Sequence, residues 1–120
     1  MGKFVIKQSA SGYRFVLKAG NGEIIGVSET YSTKGTCENG IESVRANAPA
    51  AALEDQTAQG QEKNPKFELY LDKAKEYRFR LRARNGENIL ASEGYAQKAS
   101  CLNGIDSVRK NAPDSPVEEE

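Results

Sequence analysis

Hydrophobic and polar residues alternate with a period of two near the start of each half of the chain. In the first half, Phe4 and Ile6 alternate with Val5 and Lys7, and residues 67–72 repeat this pattern in the second half. A further alternation follows, with apolar positions at Tyr13, Phe15, Leu17 and Ala19 and at Tyr77, Phe79, Leu81 and Ala83. Period-two patterns predict strands with one apolar face, so we expect each half to begin with two strands.

An Asn-Gly pair follows the second strand in each half, at residues 21–22 and 85–86, and predicts a tight turn into a third strand. The third strands are expected near residues 24–28 and 88–92. A two-residue type I′ turn would pair Leu17 with Gly26, whereas a three-residue loop with a left-handed glycine in a bulge shifts the pairing by one. The loop predicts these pairs: Leu17 with Ile25, Phe15 with Val27, Leu81 with Ile89 and Phe79 with Ala91. We favour the loop because it places apolar residues on the same face in both halves.

Apolar residues at spacings of three and four predict a helix from Thr33 to Ala48, with a counterpart in the second half. The inward positions are Cys37, Gly40, Ile41, Val44 and Ala48 and, in the second half, Cys101, Gly104, Ile105, Val108 and Ala112. Thr33 is a suitable N-cap, but its counterpart Gln97 is not. An Asn-Ala-Pro sequence ends each helix, and residues 51–56 and 115–119 are candidates for a short fourth strand.

These elements recur because the chain contains an internal duplication. Residues 13–49 align without gaps on residues 77–113, and 23 of the 37 aligned positions are identical. The first repeat spans residues 1–58 and the second spans residues 66–120, with a polar linker at residues 59–65. A domain of about 60 residues buries only about 60% of its unfolded surface, so we expect one shared core about a pseudo-twofold axis. The predicted fold is α+β: two β-β-β-α-(β) repeats in one antiparallel sheet, with both helices on one face.

Composition and charge exclude several classes of function. The chain has 17 basic and 17 acidic residues, no histidine and two cysteines. Without histidine, Ser-His-Asp and Cys-His catalytic sites and histidine-ligated zinc are ruled out. No stretch is apolar enough for a signal peptide or a membrane span, so we expect a soluble cytoplasmic protein with reduced cysteines and no membrane association. We expect no enzymatic activity, no cofactor and no metal site.

The chain resembles the YegP-like family of small bacterial proteins, a group of uncharacterised function. The resemblance rests on the run NGE-x-I-x-x-SE-x-Y followed by K-x-x-C-x-NGI-x-SVR-x-NAP, which both repeats carry. It implies paired units of three strands, a helix and a strand that form a single sheet and exchange their C-terminal strands. Because the family has no established active site, the resemblance assigns no catalytic residue.

A strip of arginines is the first candidate site. Arg78, Arg80 and Arg82 alternate with the inward residues of their strand and therefore share its outward face. With Tyr70 on the neighbouring strand, they could contact phosphates and stack a base. The alternative is a solvated strand on which Glu68 falls opposite Arg80, and we favour it because the signal is weaker than a true RNA-binding motif.

The second candidate is a small apolar patch on the outer face of the first repeat, formed by Val5, Val16 and Ile24. If both helices cover the other face, these side chains are exposed and mark a partner surface. The alternative is that the exchanged strand or the linker covers them.

Cysteines and polar residues are also duplicated. We interpret Cys37 and Cys101 as small buried residues, because each lies on the inward stripe of its helix and lacks a CxxC partner. The duplicated polar set comprises Ser28, Glu29, Tyr31, Lys34, Asn39 and Arg45, with Ser92, Glu93, Tyr95, Lys98, Asn103 and Arg109. It could form two equivalent ligand sites at the junctions of sheet and helix. We favour a structural role instead, with a local Glu29–Lys34 ion pair and a close helix approach at Gly40.

The zero net charge is a cancellation between segments. Residues 66–113 carry ten basic and six acidic residues, and residues 114–120 add four acidic ones, which could shield the arginine strip or merely solubilise the terminus. We therefore expect a monomer with an intrachain pseudo-dimer of repeats, which binds a protein partner through its outer sheet face. Nucleic-acid binding through the arginine strip is the alternative. An enzyme with duplicated Glu29/Lys34 and Glu93/Lys98 sites is a third hypothesis.

Overall fold

Each repeat folds as three strands, a helix and a fourth strand, in agreement with the sequence pattern. The computed structural model describes residues 2–58 and 60–120. The elements of the first repeat are β1 (Lys3–Ser9), β2 (Gly12–Lys18), β3 (Ile24–Val27), α1 (Lys34–Asn47) and β4 (Ala52–Asp55). The elements of the second are β5 (Lys66–Leu71), β6 (Tyr77–Arg82), β7 (Asn88–Ala91), α2 (Lys98–Asn111) and β8 (Val117–Glu119).

The eight strands form one sheet in the order β4-β5-β6-β7-β3-β2-β1-β8. The two repeats meet at its centre, where Val27 of β3 pairs with Ala91 of β7. At the edges, β4 pairs with β5 and β8 pairs with β1, so the fourth strand of each repeat lies beside the first strand of the other. Both edge pairs are parallel. The prediction of an antiparallel sheet is therefore wrong at its two edges, and the sheet is mixed.

The length of the linker permits the parallel pairing of β4 with β5. Antiparallel neighbours can be joined by a two-residue hairpin, whereas parallel neighbours need a longer crossover that returns the chain to the starting end. Residues 56–65 provide that return, because they connect the end of β4 to the start of β5.

An arginine on each helix contacts the chain just before an exchanged strand. The Arg109 guanidinium of α2 donates a hydrogen bond of 2.8 Å to the carbonyl of Ala51, next to β4, and lies 5.2 Å from the centre of the Phe67 ring. On α1, Arg45 donates to the carbonyl of Ser115 at 2.5 Å, before β8, and lies over the ring of Phe4. These arginines connect the helix of one repeat to the fourth strand of the other.

One hydrophobic core lies between the sheet and the two helices and contains residues of both repeats. Helix α1 packs on β2 and on β7, while α2 packs on β6 and on β3, so each helix also covers the other repeat. Gly104 permits this close packing, since a Cβ atom there would lie 2.6 Å from the Tyr95 hydroxyl and 3.1 Å from the Phe79 ring. Gly40 has the equivalent position against Tyr31 and Phe15, as expected for a close helix approach.

The hairpin loops agree with the prediction, but the strand register beyond them does not. Gly22 has a φ of 85°, and Ala19 and Glu23 close the predicted three-residue loop through a hydrogen bond of 2.9 Å. A second irregularity follows between Leu17 and Lys18, so Leu17 pairs with Gly26 and not with Ile25. The second repeat shows the same shift, with Leu81 opposite Leu90. A bulge places two residues opposite one, which brings both Ile89 and Leu90 into the core.

Candidate interaction surface on the outer sheet face

The outer face of the sheet, opposite the helices, carries a row of paired residues that crosses all eight strands. From one edge to the other, the row consists of Glu118, Val5, Val16, Val27, Ala91, Arg80, Glu68 and Glu54. Its half in β1 to β3 is apolar, and its half in β4 to β6 is charged. The unlike halves predicted for this face thus lie side by side.

The predicted apolar patch is largely buried. Only 1% of the surface of Val16 and 5% of that of Val5 are exposed, whereas Ile24 is 38% exposed. Val16 lies between Val5 and Val27 in the row, and long basic side chains flank it on the same face. Their aliphatic stems can cover apolar neighbours while the charged ends stay in water. The expectation of an exposed patch at Val5 and Val16 is therefore wrong. The exchanged strand β8 does not cover these residues either, because it lies beside β1 within the sheet.

The arginine strip is paired with carboxylates. Glu68 accepts hydrogen bonds from Arg80 and from Arg82, the latter at 2.9 Å, as the solvated-strand interpretation predicts. Arg78 donates to Asp72 at 2.6 Å. Desolvation by burial tends to raise the pKa of Glu68, but the hydrogen bonds from the two arginines outweigh it and hold the pKa below its usual range.

Tyr70 and Arg80 lie together on this face. The Arg80 guanidinium carbon is 4.4 Å from the centre of the Tyr70 ring, which is a cation–π contact. One face of the predicted stacking ring is thus already occupied by an arginine of the strip.

At the β4 edge of the same face, Glu54 is buried and surrounded by donors. Its carboxylate accepts hydrogen bonds from Gln56 at 2.7 Å, from Lys66 at 2.9 Å and from the backbone N–H of Glu62 at 2.9 Å. These hydrogen bonds, that from Gln56 first, lower the pKa of Glu54 to about 2. Lys66 also lies 3.4 Å from Glu68 and thereby connects the two buried carboxylates.

The acidic tail does not shield the arginine strip, because it forms strand β8 at the opposite edge of the sheet. Its glutamates pair with lysines of the first repeat: Glu118 with Lys3 at 3.2 Å, Glu120 with Lys7 at 3.8 Å, and Glu119 with Lys34. The tail therefore contributes to the sheet itself, as the candidate fourth strand at residues 115–119 predicted, and neither shields the arginine strip nor merely solubilises the terminus.

The expected ion pair between Glu29 and Lys34 is replaced by a contact between repeats. Lys34 pairs with Glu119 of β8, and its counterpart Lys98 pairs with Asp55 of β4 at 2.5 Å. Both lysines thus bind the exchanged strand of the other repeat. The enzymatic hypothesis loses its proposed charge pairs with this rearrangement.

Both cysteines are buried, as expected for small core residues. Neither Cys37 nor Cys101 has measurable exposure. Desolvation by burial raises the pKa of Cys101 to about 11, and it also raises that of Cys37. Since the thiolate is the reactive form of cysteine, these thiols are poorly suited to nucleophilic or redox chemistry.

A cleft lies where α1 crosses the turn between β6 and β7. Its volume is about 350 Å³, and both repeats line it: Tyr31, Asn39 and Gly40 from the first, with Asn85, Glu87 and Ile89 from the second. The sequence singled out Tyr31 and Asn39 as duplicated polar residues, but it did not connect them with Glu87. The identity of Glu23 and Glu87 in the two repeats was a signal for this site, although only the fold brings the two repeats together there.

Two further features of the described residues concern metals and membranes. Residues 2–58 and 60–120 contain no cluster of three or more Cys, Asp or Glu side chains that could hold a metal ion. Neither α1 nor α2 is long and apolar enough to cross a membrane.

Comparison with known proteins finds relatives across the whole fold. The family model for a domain of unknown function, DUF1508, matches residues 8–55 and 72–119. A UPF0339 protein of Bordetella pertussis is 38% identical over 119 residues, which make up 99% of this chain and 96% of that protein. A UPF0339 protein of the ptx operon 5′ region in Stutzerimonas stutzeri is 69% identical over 48 residues, 40% of this chain and 43% of that protein. The solution NMR structure of the E. coli protein YegP, of unknown function, is similar with a TM-score of 0.80 and 36% identity, over 99% of this chain and 92% of that one.

Proposed function

Because this chain belongs to the DUF1508 family, whose function is unknown, we propose a function from its own geometry: a non-catalytic binding protein whose outer sheet face contacts an acidic protein. The observation that carries the proposal is a concentration of positive charge on this face. Its basic residues are Lys3, Lys7, Arg14, Lys18, Lys66, Arg78, Arg80 and Arg82, and its acidic residues are Glu54, Glu68, Asp72, Glu118 and Glu120.

Eight basic residues against five carboxylates give this face a surplus of three positive charges in a chain whose net charge is zero. The remaining surface therefore has a net negative charge, and the molecule is electrically polarised. Such a distribution orients an approaching partner and raises the association rate when the partner's surface is complementary. A protein with an acidic surface is the partner that this face favours.

The proposal is tested by reversing one exposed charge on each side of the molecule. Arg14 is an exposed residue of the outer face on β2, and Lys110 is an exposed residue near the end of α2, on the helix side. Wild type, Arg14→Glu and Lys110→Glu would each be used as bait in quantitative cross-linking and mass spectrometry of a lysate. We expect an acidic partner that Arg14→Glu captures several-fold less than wild type, while Lys110→Glu captures it unchanged.

Salt dependence provides the second measurement. Capture by the outer face should weaken as salt rises, because exposed charges are screened over about 8–10 Å at physiological ionic strength. The proposal is wrong if all three baits capture the same proteins in equal amounts, or if the two reversals have the same effect.

Nucleic-acid binding through Arg78, Arg80 and Arg82 is a second candidate, and the observation that favours it is that an aromatic ring, Tyr70, lies beside these arginines on the outer face. A phosphate would have to compete with Glu68 and Asp72 for these arginines, which argues for weak binding. Titration of a single-stranded oligonucleotide at low and moderate salt distinguishes the candidates. Binding that falls steeply with salt and weakens in Arg78→Ala supports nucleic acid, whereas no binding at low salt rejects it.

A further inference from the structure

Two exposed polar residues are identical in both repeats, although the turns and helices that carry them do not need their side chains. These are Glu23 with its counterpart Glu87, and Asn39 with its counterpart Asn103. In each turn, the backbone N–H of the glutamate donates to the side chain of the Asn two positions earlier at 3.0 Å, whereas its carboxylate makes no hydrogen bond to the described residues. Among the described residues, no basic side chain pairs with either carboxylate.

Other surface positions have diverged between the repeats. Gly20 corresponds to Arg84 and Ala46 corresponds to Lys110, and all four residues are exposed. The fold therefore tolerates different residues at equivalent surface positions. Glu23 and Glu87, like Asn39 and Asn103, thus remain identical although other exposed positions have changed.

The cleft between α1 and the β6–β7 turn brings these retained residues together. Asn39 of the first repeat and Glu87 of the second both line it, with the ring of Tyr31 and the side chain of Ile89 as its less polar parts. Eight of its nine lining residues are identical to their counterparts in the other repeat; among them, Tyr31, Asn39, Gly40, Asn85, Glu87 and Ile89 correspond to Tyr95, Asn103, Gly104, Asn21, Glu23 and Ile25.

The pseudo-twofold arrangement places the second set in the same relation. Helix α2 packs on β3 as α1 packs on β7. Desolvation by burial is the main cause that raises the pKa of Tyr31 and of its counterpart Tyr95 alike. The residues identical to those of the first cleft are therefore expected to line a second cleft between α2 and the β2–β3 turn.

The chemistry of the cleft selects a positively charged ligand. The described residues that line it include one carboxylate, amide and hydroxyl groups, and neither lysine nor arginine. A carboxylate and uncharged oxygens accept hydrogen bonds from an ammonium or guanidinium group, and a tyrosine ring attracts a cation. The volume of about 350 Å³ lies at the small end of the range for ligand pockets. We propose that the two clefts between the repeats bind a small organic cation, an amine or guanidine with a short apolar stem.

The proposal is tested with three probes that share one stem. Butylammonium, butanol and butyrate carry positive, neutral and negative head groups on the same four-carbon chain. We would titrate each into ¹⁵N-labelled full-length protein and follow the amide resonances by NMR, at the millimolar concentrations that so small a ligand requires. Butylammonium should produce saturable shifts at Asn39 and Glu87 and at Asn103 and Glu23, and butyrate should produce none.

Each cleft serves as the control for the other. Glu87→Gln should weaken butylammonium binding about tenfold at Asn39 and leave the response at Asn103 unchanged, because a charge-assisted hydrogen bond is lost in one cleft alone. Glu23→Gln should have the opposite effect. The same variants are measured for stability by urea denaturation.

Three results overturn the proposal: the absence of saturable shifts, an equal response to butylammonium and butanol, and binding in Glu87→Gln that equals wild type. If Glu87→Gln binds like wild type but loses stability in urea, the carboxylate has a structural role instead.

Discussion

At the scale of single residues, Glu68 and Glu54 determine the character of the charged half of the outer face. Both are buried at the level of the sheet, with 6% and 5% of their surfaces exposed. A buried carboxylate is retained only with compensating partners, and here Arg80, Arg82 and Lys66 provide them. The arginine strip is therefore mainly an ion-pair network that neutralises these carboxylates. Only the exposed parts of its side chains are available to a partner.

Stability should fall in acid through Glu54. Its folded-state pKa of about 2 lies below the usual value of 4.5, so its contribution is present above the unfolded-state pKa. That contribution is lost between about pH 5 and about pH 2, as the carboxylate becomes protonated. We expect a loss of about 1–3 kcal/mol, since each unit by which a pKa is shifted corresponds to about 1.4 kcal/mol.

The measurement is urea denaturation of wild type and Glu54→Gln across this pH range. Wild type should be the more stable protein at neutral pH, and the difference should disappear near the acid end. A difference that stays constant from neutral to acid pH would contradict the assignment.

At the scale of elements, the N-termini of the two helices are capped differently, although nine of their 14 aligned residues are identical. The Thr33 hydroxyl accepts a hydrogen bond of 3.1 Å from the backbone N–H of Thr36 at the start of α1. At the start of α2, Gln97 has the same extended conformation, with φ −125° and ψ 143°, but its side chain makes no capping bond to the described residues. The predicted difference between the caps is thus confirmed.

The caps can be exchanged to test this difference. Thr33→Ala should lower the free energy of unfolding by about 1 kcal/mol, and Gln97→Thr should raise it by up to about 1 kcal/mol, because a hydroxyl at the N-cap satisfies a backbone N–H. Urea denaturation of both variants measures the effect. If Gln97→Thr does not raise the free energy of unfolding, an extended backbone and a hydroxyl at this position do not suffice to cap α2.

At the scale of the whole molecule, the duplication permits asymmetry at the pseudo-twofold axis. Gly26 of β3 and Leu90 of β7 are equivalent residues of the two repeats, and they lie against each other at the centre of the sheet. A Cβ atom on Gly26 would lie 2.6 Å from Cγ of Leu90. The leucine thus fills space that the glycine leaves, which two identical subunits could not achieve with the same residue on both sides.

Exchange of these two residues tests the complementarity. Gly26→Leu should destabilise the protein by about 1–3 kcal/mol through overpacking, and Leu90→Gly should cost more, because it leaves a cavity and a flexible backbone. The double variant should be more stable than the sum of the two single effects predicts, since its leucine can occupy the space vacated on the other side. Additive effects in denaturation experiments would show that the two positions are independent.

The sequence by itself determined the local structure of each repeat and its family. Period-two alternation places β1, β2, β5 and β6, the helical stripe places α1 and α2, and the repeated motif identifies YegP-like relatives. These features can be predicted from residues close together in the sequence, because secondary-structure propensity, helix capping and amphipathic spacing act over a few positions. The pairing of Glu68 with Arg80 was also predictable from strand alternation.

Contacts between residues far apart in the chain were decided only by the tertiary structure. The sequence did not show that β4 and β8 run parallel to β5 and β1, that Lys34 binds Glu119, or that a bulge shifts Leu17 to Gly26. Strand alternation placed Val16 on the outer face, but it did not show that neighbouring side chains bury this residue. Glu87 and Asn39 are 48 positions apart in the sequence, and they line one cleft because each helix packs across the pseudo-twofold axis. Local sequence patterns specify the helices and strands. How these pack together is decided by the hydrophobic core that the two repeats share, because each repeat alone is too small to bury enough apolar surface.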